Sequence, residues 1–337
     1  MAMKKLLLVL VAFFLVATNH VNAQKVFKIN HFIDSVLTLR YLRGNYDTNY
    51  VTRPQTKWTL VGRFNVAGAK IHTIACQNGQ SFETELTAEK KATVTIGVSY
   101  LGLSLNLSVN PAKMLGKYRD YEIGFRSYGK RFGFDITYQD ASNYEGWHET
   151  GGVRQSVTTS EDMFRLRTLN VNAYYAFNQR RFSYPAAFAH SYIQRRSAGS
   201  FLLAASGQGQ HGEVNGGMTE EGVRREKMNF KMTNIALGAG YGYNYVPARS
   251  WLIHISLLPT FIVYSKSTIS IDDEDVSLHH HFPEGIITAR SAFVKQIGSN
   301  KFAGLSVVYN YTGTGDKDYL SIRNQKWLAR LYFGVRL

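Results

Sequence analysis

The sequence predicts an all-β fold, a transmembrane antiparallel up-and-down β-barrel, and three observations support this prediction. Apolar and polar residues alternate with a period of two along most of the chain after Lys57, as in strands with one apolar face. Aromatic residues are abundant, with 21 Tyr, 20 Phe and 4 Trp among 337 residues, which is typical of the girdles of a membrane barrel. After the N-terminal leader, no apolar run approaches the roughly 18 residues that a spanning helix needs.

Residues 1–23 have the pattern of a cleaved secretory signal peptide. Lys4 and Lys5 precede an apolar run from Leu6 to Ala17, and a short polar stretch leads to a predicted cleavage site after Ala23. The apolar run is too short to span a membrane comfortably. We therefore expect export, with the outer membrane of a Gram-negative bacterium as the destination.

Residues 24–56 differ from the rest of the chain and are predicted to form an N-terminal periplasmic segment. Apolar residues recur there at helical spacing, which predicts a short amphipathic helix that ends near Gly44. The residues in this pattern are Phe32, Ile33, Val36, Leu37 and Tyr41. One hypothesis places this segment against the barrel mouth or partly inside it, as a plug.

Alternating strands define residues 57–337 as the barrel. Even-numbered residues are apolar from Val94 to Tyr100, whereas odd-numbered residues are apolar from Leu103 to Val109. A strand cannot exchange its faces without a turn or bulge, so a tight turn is predicted at residues 100–102. The last apolar row begins at Trp327, and its pattern resembles the signal that barrel-assembly machinery reads, which makes that machinery an expected partner.

Long and short connections also alternate, as in outer-membrane barrels, which have short periplasmic turns and long outer loops. Counting the strands between them gives roughly 14, with 12 as the alternative, because residues 69–87 give a weak pattern. The pattern also does not decide whether residues 184–196 form a pair of strands, because Pro185 interrupts it. The long polar connections are predicted at residues 111–119, 140–162, 207–228, 266–284 and 313–320.

The hairpin-rich stretch from Tyr118 to Gly146 resembles the family of proteins with domain of unknown function 4421. Residues 98–105 and 46–54 carry further parts of the resemblance, which extends over nearly the whole chain after the leader. The members of this family are regarded as outer-membrane barrels of Bacteroides-type bacteria. The matching motifs are structural, so the resemblance implies a fold and a location and implies no activity.

The charge balance is basic, with a formal net charge of +15. Such a balance is compatible with anionic partners, but basic residues scattered over the loops are the favoured interpretation. We expect contact with outer-membrane lipid and lipopolysaccharide and none with nucleic acid. If arginines line an open pore, the pore would conduct anions in preference to cations. If they pair with inward carboxylates, the interior is a packed polar network that conducts little. At 14 strands or fewer, a narrow or closed lumen is the favoured alternative. The charged residues predicted to face the lumen are Arg63, Glu122, Arg126, Arg131, Asp135, Arg290, Arg330 and Arg336.

His254 and Ser256 form the one candidate catalytic pair. Two types of lipid-processing barrel enzymes use a His-x-Ser pair on a strand, with serine as nucleophile, histidine as base and a third polar residue that orients the histidine. Such an enzyme needs the pair on the lipid-facing side, whereas the apolar neighbours Ile253 and Ile255 predict that His254 and Ser256 face the lumen. Polar filling of the lumen is therefore the favoured interpretation, and enzymatic activity is not expected.

One loop contains weak candidates for metal ligands, since imidazoles and carboxylates bind divalent cations. These residues are Asp272, Asp273, His279 and His281. Three consecutive histidines at 279–281 cannot all reach one ion from an extended loop, so a solvated loop is favoured. No cofactor is expected, and Cys76 is the only cysteine, which excludes an internal disulfide.

Three functional hypotheses follow from the sequence. The first is a barrel without enzymatic activity, either a narrow channel or a structural or surface-binding protein. The second is a lipid-modifying hydrolase that uses His254 and Ser256. The third is a soluble periplasmic β-protein that binds a ligand.

Overall fold

The computed structural model is almost entirely β-strand. The predicted signal peptide and the predicted amphipathic helix lie outside the described residues, as do parts of several loops. The structure describes residues 46–54, 56–77, 80–88, 90–100, 103–109, 121–142, 144–159, 163–215, 217–218, 224–225, 227–271, 274–278, 284–316 and 320–337.

Twenty strands and one short helix make up the described chain. No helix in this part of the chain is long and apolar enough to cross a membrane. In chain order the elements are β1 (Val51–Thr52), β2 (Trp58–Gln77), β3 (Gln80–Ala88), β4 (Lys91–Tyr100), β5 (Leu103–Val109), β6 (Tyr121–Tyr128), β7 (Phe132–Ala141), β8 (Tyr144–Thr150), β9 (Val153–Thr158), β10 (Phe164–Ala176), α1 (Tyr184–Phe188), β11 (Ile193–Gln194), β12 (Ala198–Val214), β13 (Gly217–Met218), β14 (Arg224–Arg225), β15 (Met228–Tyr245), β16 (Trp251–Ile271), β17 (Glu274–Leu278), β18 (Gly285–Ile297), β19 (Lys301–Asp316) and β20 (Leu320–Arg336).

The main sheet closes on itself to form an antiparallel barrel, as the sequence predicts. Hydrogen-bonded neighbours run in the order β2-β4-β5-β6-β7-β10-β12-β15-β16-β18-β19-β20, and β20 pairs again with β2. Twelve strands form this closed circuit, the smaller of the two predicted numbers. The whole sheet has 16 strands, because β3, β8, β9 and β17 extend it beyond the circuit.

The start of the first barrel strand, β2, and the end of the last, β20, lie side by side at one end of the barrel, which we call the terminal end. The backbone N–H of Trp58 donates to the carbonyl oxygen of Leu337 at 3.1 Å, and the reciprocal bond is 2.9 Å. Short turns at residues 129–131, 246–250 and 298–300 lie at this end. The predicted tight turn after Tyr100 is confirmed, because the β4–β5 ladder begins with the pair Tyr100 and Leu103.

At the opposite end, which we call the far end, strands extend into segments that the sequence analysis treated as loops. The predicted loop at 140–162 contains the β8–β9 hairpin, and β12, β16 and β19 run into the next three predicted loops. These predictions were wrong for a physical reason. Where both faces of a strand meet water, no apolar row is needed, so the period-two signal disappears.

The side chains on the outer face of the barrel strands differ in polarity from those on the inner face. On β15, Leu237 and Tyr241 are exposed, whereas Asn234 and Asn244 are fully buried. The exposed row on this strand runs from Ile235 to Tyr245, and the ten residue-to-residue steps between them measure about 33 Å along the strand. At a barrel tilt of about 40° this corresponds to about 25 Å, the height of the apolar band of a membrane barrel.

Glycine and aromatic residues form cross-strand pairs in the sheet. Gly133 lies opposite Tyr174, and Gly334 lies opposite Phe302. In each pair the aromatic ring occupies the space that a Cβ would need if another residue replaced the glycine. Gly68 and Trp327 form the same kind of pair. Glycine is needed at these positions because the close approach of the ring leaves no room for a Cβ.

Candidate functional site: the lumen and its insert

The connection between β10 and β12, residues 177–197, folds into the barrel at the terminal end. We call it the insert. Its helix α1 begins after Ser183, whose hydroxyl caps the backbone N–H of Ala186 at 3.3 Å. Pro185 occupies the first turn, where its missing N–H costs no hydrogen bond. The proline that obscured the sequence pattern therefore starts a helix instead of interrupting a strand.

Inward-facing residues from both sides of the barrel contact the insert. Tyr184 reaches Ser256 on β16, and the ring of His190 lies 4.5 Å from the rings of both Phe302 on β19 and Tyr332 on β20. The main-chain oxygen of His190 accepts a bond from Arg336 Nε at 3.1 Å. Across the circuit, the ring of Tyr128 on β6 lies 6.0 Å from the ring of Tyr184 and 6.1 Å from that of Phe188, so the insert occupies the lumen at this end.

The N-terminal segment adds a strand to the insert. Strand β1 pairs with β11, in the register Val51 to Gln194 and Thr52 to Ile193. Val51 is buried, and Tyr50 packs against an apolar cluster that includes Phe182 and Tyr184. The segment from Tyr46 to Pro54 thus packs against the insert, while the plug hypothesis for the residues before it falls outside the described chain.

A hydrogen-bonded relay joins the insert to the wall of the barrel. Tyr184 Oη lies 3.2 Å from Ser256 Oγ, which lies 3.0 Å from His254 Nε2. His254 Nδ1 lies 2.7 Å from Asn244 Oδ1, and Asn244 Nδ2 donates to the main-chain oxygen of Ser183 at 2.9 Å. We call these four side chains, Tyr184, Ser256, His254 and Asn244, the relay.

The partners of Asn244 fix where the protons of the relay lie. Gln194 Nε2 donates to two carbonyl oxygens, so its Oε1 accepts from the N–H of Ser183 and from Asn244 Nδ2. Asn244 must then present its oxygen to His254, which places the histidine proton on Nδ1. Nε2 is left as an acceptor, so Ser256 donates to His254 and Tyr184 donates to Ser256.

This arrangement has the chemistry of a serine nucleophile with a histidine base and an orienting asparagine. It is also closed to substrates in this structure. His254 is fully buried and Ser256 is 2% exposed. The rings of Tyr184 and Phe188 each lie 5.0 Å from the imidazole, so the insert covers the pair.

Sequence reasoning missed Asn244 as the third member, although a signal was present. Asn244 lies directly opposite His254 in the β15–β16 ladder. The short turn after Tyr245 sets this register, so counting residues across the hairpin would have found the pair. Tyr184 had no such signal, because only the fold of the insert brings it to Ser256.

A polar cavity of ≈ 130 Å³ lies in the lumen beyond the insert. It extends from Tyr128, which packs against the apolar cluster of the insert, to Ala69 and Ala88 of a second apolar cluster toward the far end. A buried water needs about 10–15 Å³ by this measure, so the space admits roughly ten water molecules.

Asp135 and Arg290 form a buried ion pair in the wall of this cavity. Arg290 Nη2 donates to Asp135 Oδ2 at 2.8 Å, and the two side chains are 6% and 10% exposed. Tyr128 donates a short hydrogen bond to the other carboxylate oxygen. The guanidinium group also lies 5.8 Å from the centre of the Tyr184 ring, which links the pair to the insert.

The other predicted lumen charges have different positions. Arg330 is buried and lines the cavity, Arg336 is buried beside the insert, and Arg63 faces inward and is half-buried. Arg131 does not face the lumen. It lies just before β7, where strand alternation does not set the direction of its side chain, and it is exposed and donates a hydrogen bond to Gln179 of the insert. The side chains of Glu122 and Arg126 lie outside the described part of the structure.

The weak metal candidates Asp272, Asp273, His279 and His281 also lie outside the described residues. Within the described ranges, no group of three or more His, Cys, Asp or Glu side chains is arranged to hold a metal ion.

The fold and the site define a class of protein: a β-barrel of the outer-membrane type, with an apolar exterior and a lumen filled at one end by its own insert. The chain belongs to the family described as domain of unknown function (DUF4421), whose sequence profile matches residues 45–337. The resemblance seen in the sequence is thereby confirmed. No curated protein sequence matches the chain.

Several solved structures are similar in fold at very low sequence identity. The outer membrane protease OmpT of Escherichia coli is 7% identical with a TM-score of 0.45, over 84% of this chain and 97% of its own. The translocator domain of the autotransporter NalP of Neisseria meningitidis is 10% identical, with a TM-score of 0.30 over 94% and 98%. The P. putida toluene transporter TodX is 8% identical, with a TM-score of 0.29 over 84% and 91%.

Proposed function

We propose that this protein is an exported, non-enzymatic outer-membrane barrel that holds a small polar solute in a closed lumen and does not conduct freely. The observation that carries this proposal is the insert, which fills the terminal end of the barrel and is hydrogen-bonded to its wall through the relay. An unobstructed pore would need a continuous polar path through this end.

The exterior supports a membrane location. Thirty-two large apolar side chains of the described chain are exposed, and a soluble protein of this size would bury most of such a surface. We infer that hydrocarbon covers them in the outer membrane of a Gram-negative bacterium, with lipid and lipopolysaccharide as neighbours. Export by a signal peptide cleaved after Ala23 and insertion by barrel-assembly machinery complete this proposal.

Planar-bilayer recording tests the closed lumen. The intact protein should give no steady conductance, whereas a variant in which a short turn replaces residues 178–197 should open a pore. Ala176 pairs directly with Leu202, so a short turn is able to close the β10–β12 hairpin. Circular dichroism of both proteins controls for folding, and steady conductance of the intact protein would refute the proposal.

The relay favours one second candidate, a lipid-modifying hydrolase that uses Ser256 and His254. The specific observation is Asn244, which completes the set with the histidine proton on the correct nitrogen. This function requires the insert to move away from Ser256. Incubation with phospholipid or lipopolysaccharide tests it: hydrolysis that Ser256→Ala abolishes would support the enzyme, and hydrolysis that this variant leaves unchanged would exclude it.

A soluble periplasmic ligand-binding protein is the remaining alternative, and no observation favours it. Sucrose-gradient fractionation separates it from the two membrane candidates. Recovery of the mature chain in the soluble periplasmic fraction would overturn the membrane proposals.

A further inference from the structure

Cations lie on the outer face of the barrel immediately beyond its apolar band at the far end. On β15, Lys231 is exposed four residues beyond the outward residue Ile235, and on β10, Arg167 lies two residues beyond the outward residue Leu169. Side chains two or four residues apart lie on the same face of a strand, so both cations face outward. At about 3.3 Å per residue, they lie about 7 to 13 Å along their strands from these apolar side chains.

The strand register places these cations side by side. Arg167 pairs with His211 of β12, and His211 pairs with Lys231 of β15. On the next strand, β16, Lys266 is exposed on the same outer face. Neighbouring strands are about 4.8 Å apart, so the row crosses four strands and roughly 15 Å of surface. We call these four residues, together with Arg165 of β10, the basic patch.

Two carboxylates of the described chain lie within the basic patch and hold its arginines in place. Asp140 accepts hydrogen bonds from Arg165 at 2.9 and 2.6 Å, and Glu213 accepts one from Arg167 at 3.1 Å. Glu213 Oε1 also lies 2.8 Å from His211 Nε2. A guanidinium group has five N–H donors, so Arg167 retains donors that its bonds to Glu213 do not use.

The two lysines of the basic patch differ from its arginines. Neither Lys231 nor Lys266 forms a salt bridge with the described chain, whereas both arginines do. Lys231 lies opposite Thr268 in the β15–β16 ladder, so Lys266, two residues away, is its diagonal neighbour at about 7 Å. Like charges at this distance repel each other, and an anion placed between them would relieve the repulsion.

We propose that the basic patch binds the phosphate groups of a phosphorylated glycolipid in the outer leaflet, such as the lipid A part of lipopolysaccharide. The phosphate oxygens would accept hydrogen bonds from Lys231, Lys266 and Arg167. The acyl chains would lie against the apolar band, which begins at Leu169 and Ile235. Charge at the headgroup level above an apolar surface is the complement of such a lipid.

This inference rests on the proposed outer-membrane location and adds a defined lipid contact to it. In that location the short turns at the terminal end are periplasmic, so the far end with the basic patch lies in the outer leaflet. Lipid A carries one phosphate at each end of a disaccharide, so a single molecule reaches cations on separate strands.

Native mass spectrometry of the purified full chain in non-ionic detergent tests the inference, with bisphosphorylated lipid A as the probe. Monophosphorylated lipid A keeps the sugars and the acyl chains and lacks one phosphate. It should bind about fivefold more weakly, which corresponds to the loss of one contact between a cation and a lipid phosphate. Inorganic phosphate should not displace the bound lipid, because it has no acyl chains to lie against the apolar band.

A matched pair of lysine variants separates the basic patch from the general attraction of a basic protein for anionic lipid. Lys231→Gln removes a charge four residues beyond Ile235 at the far end. Lys301→Gln removes an exposed charge four residues before the outward residue Leu305 at the terminal end. The first variant should weaken binding of lipid A about fivefold and the second should leave it unchanged. Lys266→Gln should act like Lys231→Gln, and circular dichroism controls for folding.

Three outcomes would overturn the inference: equal affinity for the two lipids, displacement of the lipid by inorganic phosphate, or equal effects of Lys231→Gln and Lys301→Gln. Failure of the proposed function gives a different result. A chain that is inserted in the membrane and binds lipid A equally well in both lysine variants refutes the basic patch alone. Recovery of the chain in the soluble periplasmic fraction refutes the membrane location, whatever lipid the protein binds in detergent.

Discussion

Arg290 illustrates how a single buried charge is tolerated in the wall of the lumen. Its guanidinium group is compensated by Asp135 at 2.8 Å and by the nearby Tyr184 ring. Removing one partner of such a pair costs more than the pair contributes, because the remaining charge stays buried without compensation.

We therefore expect Asp135→Asn to destabilise the barrel by about 3 kcal/mol, which is the low end for breaking a buried ion pair. The measurement is urea unfolding in detergent, followed by tryptophan fluorescence. The double variant Asp135→Asn/Arg290→Gln should regain part of the loss, since it removes the orphaned charge. A single variant as stable as the native protein would contradict this account of the pair.

Gly133 provides a second test at the residue scale. A Cβ at this position would lie 2.2 Å from the ring of Tyr174, which is itself buried between insert and wall. Gly133→Ala should cost about 1–3 kcal/mol by overpacking. Gly62→Ala is the matched control, because the nearest atom to its Cβ is 4.0 Å away; an equal effect of both substitutions would refute the packing explanation.

His190 makes the stability of the insert depend on pH. Burial, together with the guanidinium groups of Arg63 and Arg336, holds the pKa of His190 well below its ordinary value of 6.5. In the unfolded chain this histidine takes up a proton as the pH falls through about 6.5, and in the folded protein it does not. The stability that neutral His190 contributes is thus complete above pH 6.5 and decreases below it.

Unfolding midpoints at pH 7.5 and 5.5 should therefore differ, with the lower midpoint at pH 5.5. His190→Asn is the comparison, because asparagine tolerates the positive φ of 58° at this position and does not titrate. The variant should show a smaller difference between the two pH values. If the native protein and the variant change equally with pH, other groups are responsible.

At the scale of elements, the relay makes the insert part of the barrel wall. Asn244→Ala removes the donor to Ser183 and Gln194 together with the acceptor for His254. We expect faster hydrogen exchange in residues 183–194 and little change elsewhere. Asn310→Ala is the control, because it removes a hydrogen bond from Thr288 that lies away from the insert, and it should leave exchange in residues 183–194 unchanged. If Asn244→Ala also leaves exchange in these residues unchanged, the relay does not hold the insert in place.

The strands were predictable where lipid lies on one side and the lumen on the other. The row from Ile235 to Tyr245 shows the reason, because each outward residue must be apolar and each inward residue must be small or polar. The extensions at the far end lack this constraint, so their sequences contain no period of two.

The insert and the cavity could not be predicted from local patterns. Phe182, Tyr184 and Phe188 are apolar because they pack inside the lumen, yet a five-residue helix is too short to establish a period. Asp135 and Arg290 are 155 residues apart, so only the closed circuit brings them together. In contrast, Ser256 and His254 share an inward face by strand alternation alone, as the sequence predicts.

At the scale of the whole molecule, one physical requirement explains the fold. A closed antiparallel circuit satisfies every ladder hydrogen bond within the sheet, so its outer surface is free to be apolar and its inner surface polar. The described chain has this division on each side of the same strands, with Leu203 exposed and Ser206 buried on β12.

The most direct test of this account is quenching of fluorescent labels by brominated phospholipid in reconstituted vesicles. Single-cysteine variants in a Cys76→Ser background would carry the label at Leu203 or Leu305, which face outward, and at Ser206 or Asn310, which border the cavity. Labels at the outward positions should be strongly quenched and those at the cavity positions should not. Equal quenching at all four positions would contradict a barrel with lipid outside and an enclosed polar lumen inside.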